Sequence, residues 1–111
     1  MSGSKAQEFR DLLALTLVPG LGPRLTAALL ERFGSAGAAR QTNADELRQV
    51  PHIGDKLSRE FAEAMRFADV DAEIERIERF GVHLAALGGP EYPAPLATIP
   101  DPPQLLYVAV R

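Results

Sequence analysis

Cysteine and tryptophan are both missing from this 111-residue chain. Without cysteine there is no disulfide framework and no thiolate metal site, which fits a reducing cytoplasm. No apolar run approaches the roughly 20 residues needed to cross a bilayer. The opening MSGSK lacks the apolar core of a secretory signal and reads as a disordered start or a tag remnant. An excess of positive charge is missing too. The formal net charge is −3, whereas a domain that holds nucleic acid by charge alone should be basic. The deficit is uneven. Residues 1–68 carry nine Lys and Arg against eight Asp and Glu, and residues 69–111 carry three against seven. Any anion-binding surface therefore belongs to the first part and is weak.

A catalytic constellation is also wanting. His52 and His83 are the only histidines, and neither has a metal-ligand spacing. No Ser, His and Asp arrangement suggests itself. Gly88-Gly89-Pro90 reads as a turn and lacks the architecture of a phosphate loop. Asp69, Asp71, Glu73, Glu75 and Glu78 read as the outer face of a helix. No enzyme activity, metal or cofactor is expected.

What is present suits a folded chain: 46% hydrophobic and 24% charged residues. Phe9, Leu12, Leu13 and Leu17 recur at helical spacing and predict a helix over 6–17. Val18 to Pro23 breaks it, and Pro23 suits a first helical position because its missing N–H is not needed there. Leu25, Ala28, Leu29 and Phe33 line a second helix, which Gly34 closes. A short Ala-rich helix is expected over 35–40, and another over 44–49 capped by Thr42 or Asn43. After a second break at Pro51-His52-Ile53-Gly54, Leu57, Phe61, Ala64 and Met65 share one helical face. Asp69 caps a last helix through Phe80, with Val70, Ile74 and Ile77 inward and Glu75 and Arg79 paired outside. Gly81 ends it. Residues 82–87 and 105–110 then read as strands joined by a Pro- and Gly-rich connection, with one helical turn over 94–97. Two strands cannot form an independent domain, so the fold is expected to continue past Arg111.

The strongest pattern is a repeat at an offset of 32 residues. VPGLGPRLTAALLERF begins at Val18 and VPHIGDKLSREFAEAM at Val50. Val18, Pro19, Gly22, Leu25 and Glu31 recur as Val50, Pro51, Gly54, Leu57 and Glu63. Leu21 matches Ile53, Arg24 matches Lys56, Thr26 matches Ser58 and Leu29 matches Phe61. Each copy reads as helix, hairpin, helix, and the pair is expected to pack about a pseudo-twofold axis.

A corner this tight needs residues tolerant of positive φ, hence glycine. The aliphatic residue in its middle tucks between the helices. The turn amides and the free N–H groups of the next helix then face outward and, with the helix dipole, suit a phosphate. Arg24 or Lys56 adds a cation. Such a site reads no base. The candidate DNA-binding residues are therefore Gly20, Leu21, Gly22 and Arg24 in the first copy and His52, Gly54 and Lys56 in the second. Pro23 removes a donor, Asp55 puts a carboxylate at the second helix start, and His52 stands where the first copy has glycine. The alternative is that both hairpins are packing corners only.

These residues resemble the paired helix-hairpin-helix motif of DNA repair and recombination proteins. Further on, Gly81-Val82, Tyr92-Pro93 followed by Leu96, then Asp101-Pro102-Pro103 and Leu105-Leu106-Tyr107-Val108, resemble in order the opening of the Rossmann-like domain in the DNA processing protein A (DprA, or Smf) family. LLALTLVPGLGPRLTAALLERFGS is similar to that family's N-terminus. The resemblance implies a mostly α fold. A SAM-like tandem helix-hairpin-helix domain would span 6–80, and the first strands of a truncated α/β Rossmann-like domain 81–111. It implies a bacterial protein that binds single-stranded DNA and helps load the RecA recombinase, with this part as a weak, sequence-independent accessory. The family's phosphate loop, with its Gly and Arg, would follow Arg111. Tyr92 and Tyr107 are expected to pack rather than to stack on bases, Tyr107 buried in its strand. Two alternatives remain: a protein-interaction or oligomerisation module of the same protein, and a helix-hairpin-helix domain of another DNA repair enzyme.

Overall fold

The structure, a computed structural model, describes residues 5–109. The expected disordered start, apart from Lys5, and the end of the second strand lie outside the described residues. Six helices come first: α1 (Lys5–Thr16), α2 (Gly22–Phe33), α3 (Ala36–Arg40), α4 (Ala44–Leu47), α5 (Asp55–Phe67) and α6 (Val70–Arg79). Strand β1 (Val82–Ala86), the single turn α7 (Ala94–Ala97) and strand β2 (Leu105–Ala109) follow.

Local chemistry sets most of these limits. Pro23 lies in the first turn of α2, and Gly34 ends it at φ 90°, returning its N–H to the Leu30 carbonyl. The side chains of Ser35, Asn43 and Asp69 accept from the amides of Ala38, Glu46 and Ala72, capping α3, α4 and α6. Of the two candidates for α4 the cap is thus Asn43, while Thr42 is buried and its hydroxyl has no partner among the described residues. The outward Glu75–Arg79 pair forms at 3.1 Å.

Two apolar clusters organise the molecule. The first gathers Val18, Leu21 and Leu29 of one repeat with Val50, Ile53, Phe61 and Met65 of the other, closed by Leu15, Ala36, Ala39 and Leu47. The second joins Leu13 and Ala14 of α1 to Val70 and Ile77 of α6 and Leu105 of β2. Helix α1 therefore serves both. Arg40 ties α1 and α3 to the end of α5: its Nη1 donates to Asp11 Oδ1 at 3.0 Å, its Nε to the Met65 carbonyl at 2.7 Å and its Nη2 to the Ala68 carbonyl at 3.2 Å. A guanidinium here satisfies carbonyls that a helix end leaves open.

Three assignments need correction. Leu57, grouped with Phe61 and Met65 by spacing, is 39% exposed. It lies in the first turn of α5, before the helix passes under its neighbours. Glu73, read with the outer face of its helix, is buried instead, while Ile74 packs inward against the second cluster as expected. Tyr107 is 47% exposed, because its ring leans out of the sheet so that its hydroxyl donates to Glu73 Oε2 of α6 at 2.7 Å. Burial, then the hydrogen bond to Glu73 and the charge of its carboxylate, push the Tyr107 hydroxyl up to about 12. Burial raises the Glu73 carboxyl as well, but the Tyr107 hydroxyl and the Arg76 guanidinium outweigh it and hold Glu73 below its ordinary value. This polar latch fastens β2 to α6.

The strands pair antiparallel, Val82 opposite Ala109 and Ala86 opposite Leu105, and make a two-stranded sheet. The described residues thus form an antiparallel ribbon, without the parallel pairing of a doubly wound sheet. Tyr92 is buried as expected and donates to the Pro103 carbonyl at 2.8 Å, drawing the connection together. His83 Nε2 pairs with Glu91 Oε1 at 2.6 Å and holds the connection to β1.

Candidate nucleic-acid interface

Each repeat turns its corner in the same way. Leu21 N–H donates to the Val18 carbonyl at 3.3 Å, and Ile53 N–H donates to the Val50 carbonyl at 3.2 Å. The residue before each is left-handed: Gly20 at φ 83° and His52 at φ 74°. The second copy keeps the corner without glycine, since histidine enters this region more readily than most side chains. Leu21 and Ile53 then point into the shared core, 2% and 4% exposed. One turn on, the equivalent Thr26 and Ser58 are both buried, their hydroxyls donating back to the carbonyls of Gly22 and Asp55 at 2.6 and 2.7 Å.

The copies part at their second glycine. Gly22, just ahead of Pro23, takes φ 66°, a left-handed conformation open to glycine. Gly54 is extended, at φ −90° and ψ −173°, and stands as the N-cap of α5. Both glycines are exposed, with open space where a Cβ would point.

The helix starts are the informative feature. Where α3, α4 and α6 close their first turns with a side chain, α2 and α5 have none, like the single turn α7: their N-caps, Leu21 and Gly54, make no side-chain hydrogen bond. No N-cap side chain accepts from the first-turn amides at these two starts. Asp55 does not seal the second. Its carboxylate turns to Arg48, Nε to Oδ1 at 3.4 Å, and Arg48 also reaches Asp45. By contrast α3 shows how this chain fills a helix start when it does so, with the Glu8 carboxylate accepting from the amides of Ala36 at 2.6 Å and Gly37 at 3.2 Å.

The cations are placed unequally. Lys56 is exposed on α5. Arg24 is 81% exposed, and its Nε lies 3.7 Å from Asp101 Oδ2 of the connection. Neither Arg48 nor Asp101 was singled out as part of a site by sequence. Pro100-Asp101-Pro102 advertises a turn but carries no sign of a partner 77 positions away. Among the described residues no group of three His, Asp or Glu side chains converges as metal ligands would.

No family model matches the chain. It is similar over part of its length to several proteins named UvrABC system protein C. With that of Symbiobacterium thermophilum it shares 44% identity over 48 residues, 43% of this chain and 8% of that protein. With that of Natronomonas pharaonis it shares 39% over 51 residues, 44% and 9%. With that of Thermobifida fusca it shares 42% over 48 residues, 43% and 7%. The chain thus spans less than a tenth of the length of these relatives. The matched length is that of two hairpin repeats, and it supports a helix-hairpin-helix domain of the DNA-repair kind; it does not single out the DprA family.

Proposed function

We propose that the helical part is a sequence-independent DNA-binding domain of the paired helix-hairpin-helix kind, an accessory within a larger DNA-repair protein. The observation that carries this is a coincidence of two features at α2 and α5: both follow matching left-handed corners, and neither has a side-chain cap. Open amides at a helix start, with a cation one turn in, suit a phosphate. They contact no base edge, so affinity should depend on salt and little on sequence. The short likeness to UvrABC system protein C supports the same reading. Nothing in it calls for catalysis by these residues.

Titration of the labelled protein with a short DNA strand at low salt tests it by NMR. Amide shifts centred on Gly20, Gly22, Gly54 and Lys56 are expected, with a salt slope worth about one or two phosphates. Amides that stay in place at both corners would end the proposal.

The finer reading is a DprA-like protein that binds single-stranded DNA and works with RecA in recombination or natural transformation. It is favoured by the ordered Tyr-Pro and Asp-Pro-Pro pieces ahead of β2. Competition between single and double strands distinguishes it: a preference for duplex would count against it. A protein-contact role without DNA is favoured by the exposed rings of Phe67 and Phe80. Self-association in sedimentation, with silent corners in the titration, would support that instead.

A further inference from the structure

The two corners are alike in backbone but not in what lies on them. The connection between the strands runs over the first and leaves the second open. Pro103, Gln104 and Leu105 close a cavity of about 160 Å³ against Thr16 and the Gly22, Pro23 and Thr26 start of α2. Just before them, Asp101 sits at φ 51° between two prolines. That conformation is uncommon for a residue with a side chain, and it places the carboxylate beside Arg24. Tyr92 fixes the path of this segment through the Pro103 carbonyl.

The geometry points to Asp101 as a built-in stand-in for phosphate, masking the first corner while the second is free to meet nucleic acid. This rests on the DNA-binding reading above and adds to it a regulation. Arg24 and Asp101 cancel in charge where a phosphate would approach. The pair is displaceable: its ends are 81% and 49% exposed and 3.7 Å apart, and exposed pairs are weakly held. Phosphate therefore competes with one carboxylate at the first corner. At the second, Asp55 is drawn aside by Arg48, and Lys56 has no ion pair among the described residues. Binding starts at the second corner and engages the first only when Asp101 lets go of Arg24.

The test is fluorescence anisotropy with a labelled oligo(dT) strand over a salt series, using four variants of the whole chain. Asp101→Asn should tighten binding roughly two- to fivefold at low salt, the range an exposed ion pair covers. It should also steepen the salt slope by about one phosphate contact. Glu78→Gln makes the same change in net charge on α6, away from both corners, and should do neither. Adding Arg24→Gln to Asp101→Asn should cancel the gain. Lys56→Gln should weaken binding with Asp101 in place. An equal gain from Glu78→Gln, or no gain from Asp101→Asn, overturns the masking while leaving the binding reading intact. Wild-type affinity untouched by Lys56→Gln, or absent at low salt, overturns both.

Discussion

Arg40 shows how much one side chain can hold in a chain of this size. It serves the Asp11 carboxylate and two main-chain carbonyls at the end of α5, and it is itself mostly buried. Arg40→Ala takes the guanidinium from the Met65 and Ala68 carbonyls and leaves Asp11 Oδ1 with the Gln7 amide. A loss of roughly 2–4 kcal/mol is expected in urea denaturation. Arg40→Lys should recover only part, because an ammonium cannot reproduce the planar fork. The Glu73–Tyr107 pair makes a different prediction, in pH. Glu73 is held below its ordinary value, so its contribution is complete above about pH 4.5 and drains away as pH falls through the lowered value. Tyr107 is raised to about 12, so the neutral hydroxyl's share is complete below about pH 10 and is lost as pH climbs through about 12. Tyr107→Phe should flatten both limbs of the stability profile; an unchanged acid limb would show that Arg76 alone holds Glu73.

At the scale of the element, the corners carry the clearest expectation. A side chain in the left-handed region costs about 1–2 kcal/mol, offset by the 0.5–1 kcal/mol of flexibility that glycine loses on folding. His52→Gly should therefore stabilise by up to ~1 kcal/mol, and Gly20→Ala should destabilise by about as much, both read from thermal melts. The corners were legible in the sequence because their requirement is local: a Pro-X-aliphatic-Gly run repeated at one offset. The same holds for the Asp69 cap and the Gly34 stop. What was not legible depends on contacts far along the chain. Leu57 has helical spacing with Phe61, yet nothing nearby says that the first turn of α5 stands clear of its neighbours. Tyr107 alternates like a core residue, and only the arrival of Glu73 turns it outward. The strands themselves could be read, but not their antiparallel pairing, since register is set by partners rather than by propensity. The meeting of Arg24 and Asp101 is of the same kind.

For the whole molecule, the decisive feature is that α1 closes two apolar clusters at once, Leu15 on one side and Leu13 with Ala14 on the other. Leu13→Ala empties volume beside Val70, Ile77 and Leu105 and should cost roughly 3 kcal/mol. Hydrogen exchange should report that loss at Phe61 as well as at Leu105, within one calorimetric transition. Two separate melts would mean that the ribbon and the hairpins are independent. With a common wall between the two rooms, influence travels in either direction. A lesion planted beside the ribbon slackens the glycine bends it never touches, and any anion gripped at those bends braces the ribbon by the same amount.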